Sequence, residues 1–402
     1  PRPGTTTLRN PQRTGSHMTA PLSSPEYDAS SEGLDPTSPT RQRFVRALTV
    51  LTIPTVIIVF ILAVQVSKDF QLTGEELIDK FLQVILALVL GLFGVWLLFW
   101  AMDRTVGLFS PRWANRLRPW VFVGPALFAL GFYLVYPAIN TTVISFLDNS
   151  GEAFVGLDNY VTIRTEEHYQ IGIRNSILWV LAGPLLSVII GLGYAVLADK
   201  LSRRAESTAK ALIFLPMAIS FVGASVVWAF VYYYRVEGFG EQIGLFNGIL
   251  VALGLDPVNW MTLEPWVNGL LMWILVWLQV GFSMVILSSA IKGVPAELQE
   301  AARIDGANEW QTFRRITVPI IASTIVVVWT TVAITTWKVF DIVWVMTGGR
   351  NGTQVIAQQM VQEFFDFGRD GIGAALAVIL FIAVIPILVV NIRRFQAQEE
   401  MR

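Results

Sequence analysis

The 402-residue sequence contains no cysteine and only two histidines. The absence of cysteine excludes disulfides, thiolate metal sites, iron–sulfur ligation and a cysteine nucleophile, and two histidines exclude a histidine-rich metal site. Charged residues are also scarce, at 15%, whereas a soluble domain has about 25%. Hydrophobic residues make up 54% of the chain. These proportions predict an all-α integral membrane protein, because much of the chain must be solvated by lipid.

Eight uncharged apolar runs are long enough to cross a hydrocarbon core about 30 Å thick as helices. They lie at residues 47–66, 81–102, 120–147, 175–198, 211–234, 265–291, 316–337 and 371–392. The first run begins too deep in the chain for an ordinary secretory signal, so we expect it to be a retained span.

The lysines and arginines of the loops predict the orientation, because cytoplasmic loops carry an excess of them. With the N-terminus inside, eighteen lie on the cytoplasmic side and eight on the opposite side. Those eight are Lys68, Lys80, Arg164, Arg174, Arg235, Lys338, Arg350 and Arg369. The bias predicts a multi-pass protein of the plasma or inner membrane with both termini in the cytoplasm.

The loops predict three parts. Residues 1–40 are rich in Pro, Ser, Thr and Gly and are expected to be disordered; within them Gly15 to Met18 are typical of the remnant of a cleaved tag. Residues 41–119 form a transmembrane hairpin and a basic linker, and residues 120–402 form a six-helix core.

The loop at residues 295–319, between the sixth and seventh runs, predicts two short helices. Pro295 suits a first helical position, and the following residues to Arg303 are mostly good helix formers. Gly306 permits a turn. Beyond it Ala307, Trp310 and Phe313 recur on one face. Amphipathicity alone leaves open a helix that lies on the lipid headgroups.

This loop resembles the EAA loop of permease subunits from binding-protein-dependent ABC importers. The resemblance rests on the sequence Glu300-Ala301-Ala302, then Gly306, Ile316 and Pro319, with Val318 where the family usually has Leu. Stretches in three other loops resemble the maltose and α-glucoside branch: residues 154–160, residues 244–247 with Gly254 and Trp260, and residues 346–349 with Thr353. Arg350 replaces the proline that commonly follows the glycine pair.

The resemblance implies a type I permease core that carries a disaccharide or oligosaccharide by alternating access. It implies a second permease, two ATP-binding subunits and an extracytoplasmic sugar-binding protein as partners. No G-x-x-x-x-G-K-[ST] phosphate loop occurs in the sequence, so ATP and Mg are expected on the partner and no cofactor, metal or catalytic residue on this chain. The implied ATPase-coupling residues are Glu300, Ala301, Ala302, Asp305, Gly306, Trp310 and Phe313.

Sugar recognition combines aromatic faces with hydrogen-bonding groups. The fifth to seventh runs contain that mixture. The candidate path residues are Ser220, Trp273, Trp277, Gln279, Ser283, Trp329, Thr330 and Thr335. Packing between helices is the alternative role for each of them.

Two other functions are the alternatives to transport driven by ATP. An ion-coupled secondary transporter usually has ionisable residues near the membrane midplane, whereas all eight runs here are uncharged. A membrane enzyme needs a cluster of acids or metal ligands at a membrane face, and the acidic residues here are scattered through the loops. The sequence therefore favours a transport subunit that is not itself an enzyme.

Overall fold

The computed structural model describes residues 51, 54–63, 65, 76–107, 109 and 111–399. The predicted segment 1–40, with its tag remnant, lies outside these residues. The described helices, numbered in chain order, are α1 (Pro54–Ala63), α2 (Glu76–Val106), α3 (Pro111–Leu130), α4 (Tyr136–Ile144), α5 (Asp158–Thr165), α6 (Glu167–Asp199), α7 (Arg203–Phe214), α8 (Phe221–Val231), α9 (Leu245–Ala252), α10 (Val267–Lys292), α11 (Ala296–Ile304), α12 (Glu309–Thr312), α13 (Val318–Trp337), α14 (Asp341–Met346), α15 (Ile356–Phe365) and α16 (Asp370–Glu399).

The predicted all-α membrane class is confirmed. Six helical stretches of the described residues are long and apolar enough to cross a membrane: Ile78–Val106, Pro111–Ile144, Glu167–Asp199, Val267–Lys292, Glu309–Trp337 and Asp370–Arg393. They correspond to the predicted second, third, fourth, sixth, seventh and eighth spans. Of the predicted first span, the structure describes the apolar helix α1, and the run's first four residues lie outside the described part.

The chain divides between Ala129 and Leu130 into two compact units, ten residues beyond the predicted start of the core. In the first unit, the ring of Phe60 packs directly against Gly94 of α2. Phe99 and Phe122 stack at a centroid distance of 5.8 Å between α2 and α3. Many of its other apolar side chains are exposed, as expected where lipid is the solvent.

The second unit is built around α6 and α10, which are in close contact along their length. Gly191 makes the approach possible, because a Cβ added there would lie 2.6 Å from Ser283 Cβ and 2.9 Å from the Met284 nitrogen. Gly183 also allows close contact, because a Cβ added there would lie 2.9 Å from Leu275 Cδ2 of α10. Small residues at helix contacts compensate for the absence of a hydrophobic driving force between helices in lipid.

The predicted fifth span, 211–234, is not one straight helix. After α7 the chain forms a 3₁₀ turn at Leu215–Ala218, and Ile219 and Ser220 have extended backbone. The two arms meet at an angle of 102°. Pro216 has no backbone N–H, so it cannot donate the hydrogen bond that would continue the α-helical ladder of α7. Ser220 then begins α8 by accepting a hydrogen bond from the Gly223 amide at 3.1 Å.

We predict that Gly191→Ala destabilises the chain by about 1–3 kcal/mol, because it forces α6 and α10 apart. Gly193→Ala is the matched control, since nothing lies within 4 Å of a Cβ added at Gly193. Thermal unfolding in detergent measures both variants. Equal melting temperatures for the two would show that the close contact at Gly191 contributes nothing to stability.

Candidate functional site

The loop that follows α10 contains the first predicted short helix. Helix α11 covers Ala296–Ile304, and Asp305 is its C-cap. Gly306 follows with a φ of +83°. Glycine adopts this left-handed conformation without strain. Pro295 lies one position earlier than predicted, since its ψ of 130° makes it the N-cap.

The second predicted short helix does not exist as a separate element. Helix α12 continues through a π-helical turn at Phe313–Thr317 into α13, so that the predicted second helix is the beginning of the next span. Ala307 precedes the helix and does not share its face with Trp310. A capping box sets the start, because Asn308 and Gln311 each bond the other's backbone amide, at 2.8 and 2.9 Å. The N-x-x-Q spacing was a sequence signal for this start.

Most of the predicted coupling residues lie on the surface. Trp310 is 65% exposed and contacts Phe313 at a centroid distance of 5.7 Å. Ala302 is buried and Phe313 half-buried. Sequence reasoning missed Leu298 and Ile304, which are 46% and 85% exposed. The exposed residues Leu298, Glu300, Ala301, Ile304, Asp305, Gly306 and Trp310 are called the α11–α12 surface below.

Ion pairs join this loop to the neighbouring helices. Lys200, at the end of α6, contacts Glu309 at 2.6 Å. Glu206 of α7 accepts from both Lys210 and Lys292, the last residue of α10. Glu206 and Lys210 have side chains only 13% and 22% exposed. Separating these partly shielded charges would leave each of them uncompensated, which is costly. The cluster therefore holds α7 against the end of α10, beside the loop.

A cavity of 340 Å³ lies beside the break between α7 and α8. Its walls come from the turn between α7 and α8, from α10 and from α13. The lining residues are Met217, Ile219, Ser220, Phe221, Leu278, Gln279, Phe282, Thr331 and Thr335. Non-helical backbone at membrane depth is tolerated where it is buried in protein or lines a water-filled space. The broken helix therefore marks this cavity as the candidate path.

Three of the predicted path residues, Ser220, Gln279 and Thr335, line this cavity. The Thr335 hydroxyl donates to the Thr331 carbonyl at 3.1 Å, which leaves it able to accept a hydrogen bond. The cavity is also lined by Thr331, which lies one turn before Thr335 on α13.

The other predicted path residues lie outside the cavity. Ser283 is fully buried beside Gly191 and Thr330 donates to the Val327 carbonyl. Trp277 packs on Trp228 at a centroid distance of 5.7 Å. Trp329 packs against buried residues of α13 and α16, and Trp273 is 44% exposed. The structure thus gives four of these five residues a place in helix packing.

Two of the three loop stretches that carried the resemblance each hold a buried asparagine that bonds backbone carbonyls. Asn159 donates to Ser145 and Leu147 at 3.0 and 2.7 Å. Asn247 donates to Tyr233 and Val258, each at 2.9 Å. These asparagines supply partners for carbonyls that secondary structure leaves unpaired, so we assign them to loop structure.

The chain is similar to known membrane transport proteins. Residues 187–399 match the family described as "Binding-protein-dependent transport system inner membrane component". The osmoprotective compounds uptake permease protein GgtC of Synechocystis sp. is 52% identical over 70% of this chain and 100% of its own length. The α-glucoside transport system permease protein AglF of Rhizobium meliloti is 46% identical over 78% and 97%.

The fold is also similar to that of a solved transporter. A chain of a bacterial ABC transporter involved in the import of the acidic polysaccharide alginate superposes with a TM-score of 0.61 at 21% identity. The match covers 72% of this chain and 99% of that one. At this level of identity the likeness concerns the fold.

Proposed function

Because this chain belongs to the inner membrane components of binding-protein-dependent transport systems, we propose that it carries an α-glucoside through the cavity beside the broken helix. In this proposal the α11–α12 surface receives the force of ATP hydrolysis from a separate subunit. The observation that carries the proposal is the connection between the two places: Glu206 joins α7, which leads into the cavity, to the end of α10, which leads into the loop.

The substrate class is inferred from the relatives and from the cavity. AglF is named for α-glucoside transport and is 46% identical to this chain over nearly its whole length. The cavity volume of 340 Å³ falls in the range of about 300–1,000 Å³ that is usual for small-molecule sites. Hydroxyl and amide groups from Ser220, Gln279 and Thr335 suit the hydroxyls of a disaccharide.

The proposed assembly contains a second permease, two ATP-binding subunits and an extracytoplasmic sugar-binding protein. Both termini and the α11–α12 surface lie in the cytoplasm in this arrangement, which the excess of Lys and Arg supports. The ATPase is a separate chain that holds ATP and Mg, because this sequence has no phosphate loop. Exposed apolar side chains beside Glu300, such as Ile304 at 85%, favour a protein contact there.

The coupling assignment is tested at Gly306. Nothing in this chain lies within 4 Å of a Cβ added at this residue, so within the chain a substitution acts only through its backbone conformation. Gly306→Val is strained by about 1–3 kcal/mol at a positive φ, whereas Asn tolerates that conformation. We expect Gly306→Val to lose most ATP-driven uptake in proteoliposomes and Gly306→Asn to keep it.

A charge reversal gives the companion test. Glu300→Lys is expected to uncouple ATP hydrolysis from uptake or to release the ATPase during purification. Glu241→Lys, in the loop between α8 and α9, is the control with the same charge change. If Glu300→Lys and Gly306→Val both transport normally, the coupling assignment is wrong.

The path assignment is tested with Gln279→Leu and Thr335→Val. Each removes a hydrogen-bonding group worth about 1 kcal/mol, so we expect the KM for uptake of trehalose or sucrose to rise about fivefold for each. Thr336→Val is the control, because Thr336 is buried and donates to the Val332 carbonyl. An unchanged KM in both cavity variants would show that the substrate path does not run through this cavity.

A further inference from the structure

A second cavity, of 560 Å³, lies between α5, α6 and α16, at the end of the second unit opposite the α11–α12 surface. Its polar lining consists of Tyr160, Arg164, Gln170 and Arg174. The remaining wall is apolar and is formed by Ile163, Ile173, Ile177 and Ile379. Two arginines beside an apolar wall make an amphipathic site.

The two arginines are available to a ligand. Among the residues that the structure describes, neither guanidinium has a carboxylate at ion-pair distance. Both side chains are exposed. The nearby acidic residue Glu166 contacts His168 at 3.5 Å, and it does not line the cavity. An unpaired guanidinium presents a fork of donors that fits a phosphate.

The position of the cavity along α6 distinguishes lipid from a soluble anion. Helix α6 has 33 residues and is therefore about 50 Å long, which exceeds a hydrocarbon core of about 30 Å. Arg174 comes immediately before the uncharged run 175–198, at the depth expected for headgroups. Ile177 lies one turn deeper, as expected for the beginning of the acyl region.

The apolar wall continues along the exposed face of α6. Ile177, Leu181, Leu185 and Ile189 follow at four-residue spacing and are 48%, 57%, 51% and 56% exposed. Residues at this spacing share one helix face. They form a stripe roughly 18 Å long at 1.5 Å per residue, which begins at the cavity and has the length of an extended acyl chain.

We propose that this cavity binds an anionic phospholipid, with its phosphate between Arg164 and Arg174 and an acyl chain along the α6 stripe. The bound lipid covers apolar surface of α6 and places one negative charge between two cations at the membrane boundary. The site is separate from the sugar path and from the α11–α12 surface, so it does not depend on the proposed function.

The test is native mass spectrometry of the full chain, purified in a neutral detergent and titrated with phosphatidylglycerol or phosphatidylcholine of the same acyl chains. A basic residue near an anionic lipid contributes about a fivefold gain in binding. We therefore expect phosphatidylglycerol to bind more tightly, and Arg164→Gln with Arg174→Gln to weaken its binding about 25-fold. Arg235→Gln, outside the cavity, is the matched control and should leave binding unchanged.

Four outcomes would overturn the proposal. Equal retention of the two lipids, or an unchanged affinity in the double variant, would show that the arginines do not bind the lipid headgroup. Displacement of the lipid by millimolar inorganic phosphate would assign the site to a soluble anion. Disulfide trapping between two copies that carry Ile177→Cys, in a chain with no other cysteine, would show that protein covers the stripe.

Discussion

Backbone amides and carbonyls in a hydrocarbon solvent need partners, and this constraint organises the molecule. Regular helices satisfy it internally, which accounts for the long helices of the described residues. The turn from Leu215 to Ser220 departs from the rule, because its 3₁₀ and extended backbone leaves fewer intrahelical bonds. That departure occurs beside a cavity with polar residues from two other helices, where water or a sugar hydroxyl can reach unpaired groups.

The broken helix also gives a physical connection from loop to cavity. Helix α7 packs closely on α10, because a Cβ at Gly281 would meet the backbone at Ile213 and Phe214. At the loop end, Glu206 bonds Lys210 and Lys292 across the same two helices. In the proposed function, a displacement of the α11–α12 surface is passed through the end of α10 to the first turn of α7, and the turn that follows α7 forms one wall of the cavity.

Sequence reasoning predicted what depends on composition and local spacing. The resemblance to importer permeases is confirmed by the family match and by the relatives. The long spans follow from uncharged runs, and α11 follows from Pro295, good helix formers and Gly306. The predictions that failed concern features that depend on tertiary contacts. Pro125 and Pro184 lie inside continuous helices, whereas the chain breaks at Pro216, so proline alone could not locate the break.

The site was only partly predictable for the same reason. A polar residue in an apolar run either lines a cavity or bonds its own helix, and sequence spacing does not separate the two. Thr335 lines the cavity while Thr330, on the same helix, is buried. The second short helix was mispredicted because the aromatic pattern of Trp310 and Phe313 continues into the apolar run that forms α13.

The central claim is that the α11–α12 surface contacts the ATPase, and site-directed cross-linking tests it most directly. The chain has no cysteine, so a single introduced thiol can carry a photoactivatable maleimide. In the intact complex the account predicts an adduct with the ATPase from Ala301→Cys and none from Thr262→Cys, which lies before α10 at the other end. An adduct from Thr262→Cys, or none from Ala301→Cys, would contradict it.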